Sequence, residues 1–201
     1  MNINWYGQGC VGLKGKDVEI IIDPFLTTTT GLKLPSLKDK IVLVGSFGVG
    51  KDFGKESTKI IDSPGEYEFS EIFVYGINAE NNYPKIIYQL TFEDISVVHL
   101  GSILEVPDEE IVNELSDTDI LFVPVGGEDV LSSSKAAKLV SQINPKIVIP
   151  IYYQIPGLKI KLETADKFIK ETGLKAAQEE EKLTIKKKDF GEETQLIILK
   201  P

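Results

Sequence analysis

Short apolar runs separated by Gly, Pro, Asp and Asn fill the first half of the chain. They are rich in β-branched residues and have the length that is typical of strands. The pattern predicts strands at residues 3–6, 18–22, 41–44, 59–61, 72–75, 86–90 and 96–100. Hardly any helix is predicted before Gly101.

After Gly101 the spacing of apolar residues indicates helices that alternate with strands. Pro107 suits a first helical turn, Ser132 is a helix cap, and Gly173 ends a helical pattern. Helices are predicted at residues 107–115, 132–143 and 162–172, and strands at residues 119–123, 146–151, 183–187 and 195–199. Many strands followed by alternating strands and helices predict the α+β class, with two sheets face to face and helices outside, an αββα four-layer sandwich.

Length and composition limit the number of domains and the kinds of partner that we expect. With 201 residues, 42% of them hydrophobic, the chain is long enough for one substantial core, and we expect one domain over residues 1–201. A net charge of −9 argues against nucleic acid as a partner. No apolar run approaches a membrane span and the N-terminus lacks signal-peptide features, so we expect a cytoplasmic protein away from membranes.

Six segments of the chain carry a resemblance to a known family. They are WYGQGC (5–10), IDPF (22–25), SPGEYE (63–68), HLG (99–101), VPVGG (123–127) and NPKIVIP (144–150). In this order and spacing they resemble the metallo-β-lactamase superfamily, in the branch of predicted Zn-dependent hydrolases related to ascorbate-phosphate lactonases. The resemblance implies the metallo-β-lactamase fold.

The same resemblance implies a zinc site, and the chain departs from it. Family enzymes hold zinc through a His-x-His-x-Asp-His cluster after a hydrophobic strand, and through further ligands later in the chain. The single histidine is His99 and the single cysteine is Cys10, too few for three or four nitrogen or sulfur ligands. The matching positions hold Ser46, Gly48, Gly50, Lys51, Ser102 and Tyr152.

Whole-chain resemblance combined with replaced ligands predicts a pseudo-hydrolase without zinc or another cofactor. Such a protein would act by binding an unknown small molecule or protein, and it could form a homo-oligomer. The resemblance places a residual pocket at Gln8, Asp23, Gly45, Ser46, Phe47, Gly48, Gly50, Lys51, His99, Ser102 and Tyr152.

Three residues near this pocket are predicted to have structural roles. We expect His99 to be a core histidine that hydrogen-bonds the backbone, and Cys10 to be a small buried hydrophobe. In the family, the residue at Asp23 orients a metal-bound histidine, and here we expect it to cap a turn.

An alternative is a hydrolase that acts on a small anionic substrate through other groups. Its candidate catalytic residues are Lys51, Tyr152, Ser46 and Ser102, with Lys51 as a cation and Tyr152 as a proton donor. The same hydrolase could instead use Mg²⁺ or Ca²⁺ held by oxygens, with ligands from Asp23, Asp52, Glu66 and Glu68.

A further alternative is phosphate or nucleotide binding by the loop at residues 45–51. This loop has the G-x-x-x-x-G-K spacing of a phosphate-binding loop. Asp52 stands where such loops carry Ser or Thr, and only seven residues separate Lys51 from the next predicted strand. Both features argue against a nucleotide site.

Overall fold

The computed structural model of the protein describes residues 1–45, 59–79, 85–176 and 179–201. In this part of the chain the strands form two sheets. The first sheet contains β1 (Asn2–Trp5), β2 (Val11–Lys14), β3 (Glu19–Ile22), β4 (Ile41–Leu43), β5 (Lys59–Ile61) and β12 (Leu183–Thr184), in the spatial order β12-β1-β2-β3-β4-β5.

The second sheet is mixed, as is the first. It contains β6 (Gly65–Phe69), β7 (Ile72–Asn78), β8 (Ile86–Phe92), β9 (Ile95–His99), β10 (Ile120–Pro124), β11 (Ile147–Ile151) and β13 (Gln195–Leu196), in the order β13-β11-β10-β9-β8-β7-β6. Antiparallel pairing runs from β6 to β9 and parallel pairing from β9 to β13. In the first sheet β1, β2 and β3 are antiparallel, whereas β3, β4 and β5 are parallel.

The helices lie outside the sheets. They are α1 (Thr27–Thr30), α2 (Glu109–Glu114), α3 (Ser133–Ile143) and α4 (Ala165–Thr172), with a 3₁₀ turn at Lys187–Asp189. Helix α3 contacts β10 of the second sheet and packs beside α2 and α4. None of the helices in the described ranges combines the length and apolar character that crossing a membrane requires.

Strand β3 shows how the layers are built, because it is buried on both faces. Ile20 and Ile22 belong to the large core between the sheets, whereas Ile21 packs in a second cluster with Cys10 and Phe25. Among the described residues, the outer face of the first sheet is therefore covered mainly by the irregular segment 25–37 around α1. The predicted α+β sandwich is confirmed, with long helices only on the second sheet among the described residues.

Buried hydrogen bonds join the two sheets at one end. The Tyr88 hydroxyl on β8 donates to the carbonyls of Val44 and Ile61, which follow or end strands of the first sheet, at 3.0 Å each. The Ile86 N–H donates to the Gly45 carbonyl at 3.0 Å. Burial raises the pKa of Tyr88, so its hydroxyl stays a donor.

Two strands were missed by the sequence pattern, and two are shorter than expected. Strand β2 contains Gly12 and follows a glycine-rich turn. The glycines weaken the strand pattern in the sequence, although β2 pairs with both β1 and β3. Strand β6 alternates Glu66 and Glu68 with aromatic residues, but its opening SPGE suggests a turn. The closing strands β12 and β13 each have two residues, because tertiary pairing sets the ends of short strands.

The N-terminal cap of α3 was predicted from the sequence and can be tested by mutation. The Ser132 hydroxyl accepts a hydrogen bond from the Lys135 N–H at 3.4 Å, as the sequence predicted. We expect Ser132→Ala to lower the free energy of unfolding by about 1 kcal/mol, measured by urea denaturation. Ser134→Ala, at an exposed position inside the same helix, should leave it equal or slightly higher. Equal losses in both variants would contradict the capping role.

Candidate functional site

A cleft of about 190 Å³ lies at the end of the sandwich, where strands of both sheets finish. Gln8 lies between β1 and β2, Asp23 directly follows β3, and Tyr152 directly follows β11 of the other sheet. The cleft is lined by Gln8, Asp23, Pro24, Phe25, Leu26, Thr29, Thr30, Tyr152 and Ile160.

Three of these lining residues have left-handed backbone conformations. The φ angles are 50° at Gln8, 47° at Asp23 and 51° at Tyr152. Non-glycine residues rarely adopt this region, and each such residue costs about 1–3 kcal/mol unless its surroundings enforce it. Strained backbone conformations are more frequent at functional sites than elsewhere. Three of them around one cleft therefore indicate that this cleft is a candidate functional site.

The backbone of Gln8 is held by two hydrogen bonds to its carbonyl. The Trp5 indole N–H donates to this carbonyl at 2.8 Å, and the Tyr152 N–H donates to it at 3.0 Å. The Gln8 residue is 6% exposed, and its side-chain Nε2 has no hydrogen-bond acceptor among the described residues. A buried amide donor without a protein partner is rare and has a cost comparable to a lost hydrogen bond.

The Asp23 carboxylate is buried between strand ends of both sheets. Its Oδ1 accepts a hydrogen bond from the Gly45 N–H at 2.6 Å, and its Oδ2 lies 3.9 Å from Nδ1 of His99. Gly45 must be a glycine, because a Cβ there would lie 2.6 Å from the Ile86 carbonyl oxygen. Asp23 therefore fixes the start of the loop that follows β4.

His99 is a core histidine, as predicted. It is fully buried; the Gly101 N–H donates to Nδ1 at 3.1 Å, and Nε2 lies 2.8 Å from the Gly9 carbonyl. Because Nδ1 accepts, the proton is on Nε2, which donates to Gly9. Burial lowers the pKa of His99, and the nearby Asp23 opposes this shift. Both ring nitrogens have partners, so His99 is not available to a metal.

Tyr152 packs on the turn that carries Gln8. A Cβ added at Gly9 would lie 2.5 to 2.7 Å from the ring and hydroxyl of Tyr152, so only glycine leaves room for this ring. Gly126 is equally restricted, since a Cβ there would lie 2.1 Å from the Tyr152 carbonyl oxygen. Cys10 beside this turn is fully buried, and burial raises the pKa of its thiol. The prediction that Cys10 is a small buried residue is confirmed.

The structure brings together some of the predicted pocket residues. Gln8, Asp23, Gly45, His99 and Tyr152 form one connected group around the cleft. Ser102 does not line the cleft; its carbonyl accepts a hydrogen bond from the Lys85 ammonium at 2.5 Å.

Ser46, Phe47, Gly48, Gly50 and Lys51 lie outside the described residues, as does most of the suggested phosphate-binding loop.

Most of the cleft wall was not predicted from the sequence. Pro24, Phe25, Leu26 and the threonines of α1 line it, and the signal was the run DPFLTTTT directly after a strand. Apolar residues after a strand usually cover a sheet, and here the same segment both covers the first sheet and borders the cleft. Pattern alone does not separate these two roles.

The predicted carboxylates do not converge on the cleft. Glu66 and Glu68 line a different cleft of about 540 Å³, beside Phe73 and Tyr75 on the outer face of β6, β7 and β8. Asp52 lies outside the described residues. Within the described ranges no three residues among His, Cys, Asp and Glu are grouped so that they could hold a metal ion.

Two facing mixed sheets, outer helices and a cleft at the strand ends define an α+β sandwich of the metallo-β-lactamase class. Residues 2–152 match the family described as Beta-lactamase superfamily domain. The chain therefore belongs to this family.

Individual relatives span most of the chain. A UPF0173 protein from Pyrococcus abyssi is 28% identical over 183 residues, covering 78% of this chain and 85% of the relative. A UPF0173 metal-dependent hydrolase from Lysinibacillus sphaericus is 24% identical over 194 residues, covering 76% and 85%. The crystal structure of a proposed Zn-dependent hydrolase of the metallo-β-lactamase superfamily from Thermotoga maritima matches with a TM-score of 0.82 and 25% identity, over 99% and 98%.

These relatives contradict two predictions from the sequence. The protein was expected to be non-catalytic and to lack a cofactor, whereas several curated relatives are metal-dependent hydrolases. Both predictions are wrong in the light of this comparison. The error was to equate missing histidines with missing chemistry, although oxygen atoms also bind divalent cations.

The described residues nevertheless do not fit a zinc site. His99 is occupied on both nitrogens, the buried Asp23 carboxylate bonds Gly45, and Tyr152 stands where the family pattern has a histidine.

Burial of neutral His99 gives the protein a pH-dependent stability. In the unfolded chain His99 binds a proton as the pH falls below the ordinary histidine pKa of 6.5. In the folded chain it binds this proton only at lower pH, because burial lowers its pKa. Stability should therefore be full above about pH 6.5 and should fall as the pH is lowered from there towards the depressed pKa of the folded state. Urea midpoints measured from pH 7.0 to 5.5 check this.

His99 is the only histidine, so the comparison is simple. His99→Gln removes the titrating group, and its midpoint should change less with pH over the same range. A wild-type midpoint that stays constant or rises on acidification would contradict a buried neutral histidine.

Proposed function

We propose that this protein is a hydrolase and that its substrate binds in the cleft between Gln8, Asp23 and Tyr152. The observation that carries the proposal is the concentration of three left-handed, non-glycine residues around this cleft. Family membership and the hydrolase relatives support the reaction class.

The side chains of the cleft suit a hydrolysis in two ways. The Tyr152 hydroxyl can donate its proton to the leaving oxygen, while water adds its OH to the other side of the broken bond and its remaining proton returns to the tyrosinate. Gln8 borders the cleft with a neutral amide, so it brings no charge into this partly apolar site.

Asp23 is a positioning residue in this proposal. Its Oδ1 bonds the Gly45 N–H, and its Oδ2 lies beside His99, so the carboxylate holds strand ends of both sheets around the cleft. The binding groups on either side thus keep their places before the substrate arrives.

Two other sequence-based predictions concern the loop after β4. The cationic role of Lys51 and nucleotide binding by the 45–51 loop belong to residues that are not described. The small-molecule ligand of the earlier prediction becomes, in this proposal, the substrate of the cleft. Self-association and a protein partner stay predictions.

Replacement of Tyr152 tests the proposal directly. We expect the wild-type protein to hydrolyse at least one member of a panel of carboxylic esters, lactones and phosphate esters. Each assay contains Zn²⁺, Mn²⁺ or Mg²⁺, because the relatives are metal-dependent. Tyr152→Phe should lower kcat/KM by about 10²-fold, the lower end of the contribution of a positioned proton donor.

The neighbouring tyrosine provides a matched control. Tyr153 is buried, stacks on Trp5 and donates its hydroxyl to the Leu199 carbonyl at 3.2 Å, away from the cleft. Tyr153→Phe should lower stability by about 1 kcal/mol and leave kcat/KM within about twofold. The proposal fails if no substrate is turned over, or if the two variants lose activity equally.

A further inference from the structure

We infer that strand β6 binds an extended basic segment of a partner protein, which adds as a further strand to the edge of the second sheet. The surface involved, called here the β6–β8 face, consists of Glu66, Glu68, Phe73, Tyr75, Gln89 and Thr91. None of these residues lines the cleft of the proposed hydrolase, so the inference does not rest on the proposed function.

The backbone of β6 is open on one side. Among the described residues β6 is the last strand of the second sheet and pairs with β7 alone. The two strands are joined by Ser70 and Glu71, with φ angles of 49° and 63°, which is typical of a type I′ turn. Such a turn is closed by a hydrogen-bonded pair, and bonded and non-bonded pairs alternate from there. The N–H and C=O groups of Glu66 and Glu68 therefore point away from β7.

Two exposed aromatic rings lie beside the carboxylates of β6. Phe73 is 56% exposed and Tyr75 is 40% exposed. The strand register places Glu68 opposite Phe73 and Glu66 opposite Tyr75. These are non-hydrogen-bonded pairs, in which opposite Cα atoms are about 4.5 Å apart and side chains are closest. An aromatic ring and a carboxylate both attract a cation, so each pair suits one Lys or Arg side chain.

The spacing of the two pairs defines a sequence motif for the partner. Glu66 and Glu68 are two residues apart, which is the repeat at which side chains return to one face of a strand. A strand added to β6 would therefore bring residues i and i+2 to the two pairs. The residue between them would face the other side, next to the partly buried ring of Tyr67. On that side Lys59 already lies 4.8 Å from the centroid of the Phe69 ring, so an apolar residue suits this position better than a second cation.

Charge favours a basic partner over a second copy of this chain. Antiparallel self-pairing centred on Tyr67 would place Glu66 opposite Glu68 of the second copy, and like charges directly opposite each other are destabilising. The net charge of −9 also opposes self-association and attracts a basic partner. Among the described residues that line the groove of about 540 Å³ over β6, β7 and β8, none is Lys or Arg. The partner therefore has to supply the cations.

A short peptide tests the binding mode on the wild-type protein. The probe is Thr-Lys-Val-Lys-Thr, acetylated and amidated, and the control is Thr-Glu-Val-Glu-Thr. We expect the probe, but not the control, to shift the backbone N–H signals of Glu66 and Glu68 in NMR spectra and to slow their hydrogen exchange. Binding of neither peptide, the result for acids that only protect a strand edge from aggregation, would overturn the inference.

Two N-methylated forms of the probe distinguish strand addition from attraction by charge alone. One form is methylated on the backbone nitrogens of both lysines, and the other on those of the valine and both threonines. Only alternate N–H groups of an added strand point to its neighbour. One form should therefore lose binding and the other should keep it. Equal binding of both forms would overturn the inference.

Side-chain variants test the two cation positions. The double variant Glu66→Gln, Glu68→Gln keeps the shape of the surface and should weaken binding of the probe by about tenfold, as expected for the loss of two exposed ion pairs. Phe73→Ala should weaken it by about threefold, through the loss of one cation–π contact.

A second double variant is the matched control. Glu192→Gln, Glu193→Gln makes the same change of net charge at exposed positions just before β13, at the opposite edge of the sheet. It should leave binding within about twofold. Equal losses in the two double variants would contradict a site at β6. Sedimentation that shows a dimer of the wild type, lost in the Glu66→Gln, Glu68→Gln variant, would identify a second copy as the occupant and overturn the inference.

Discussion

Buried hydrogen bonds between the two sheets are the constraint on which the cleft depends. His99 on β9 donates to the Gly9 carbonyl, and the Tyr152 N–H after β11 donates to Gln8 in the same turn. Tyr88 and Ile86 make the corresponding bonds to the carbonyls around Gly45. Each donor is buried, so breaking one bond leaves a polar group without water or protein to satisfy it. These bonds hold the sheets together at one end, and elsewhere the sheets are joined by the large apolar core and by ion pairs such as that between the Met1 ammonium and Glu93.

These buried hydrogen bonds explain how the left-handed residues around the cleft are tolerated. A left-handed glutamine, aspartate or tyrosine would relax if its neighbours could move, but Gln8 is held by Trp5 and Tyr152 through its carbonyl. The ring of Tyr152 in turn requires glycine at position 9. Strain and hydrogen bonding therefore support one geometry, and side chains on strained positions keep a direction that a relaxed loop would not fix.

Much of the fold follows from the sequence because strand and helix periodicity is local. The long helices and most strands of the second half lie close to their predicted positions, with Ser132 and Gly173 at the predicted helix ends. Strand β2 was missed because its formation depends on two partners rather than on its own composition. His99 and Cys10 were assigned correctly, since a lone polar residue inside apolar strands has few alternatives to backbone partners. The unpartnered amide of Gln8 had no such signal, because it depends on contacts between turns that are distant in sequence.

The reaction class was predicted wrongly, because that prediction relied on the number of histidine and cysteine ligands in the sequence. A low histidine count argues only against a zinc site that is rich in nitrogen ligands. It gives no information on the other polar groups of the cleft. Family membership is carried by residues 2–152 as a whole, including the turns that place Gln8 and Asp23. Those turns place Gln8 and the buried Asp23 carboxylate at the strand ends, which is where ligand sites beside a sheet often form. The fold positions its buried polar groups through contacts between distant turns, as the carbonyl of Gln8 shows by accepting from both Trp5 and Tyr152.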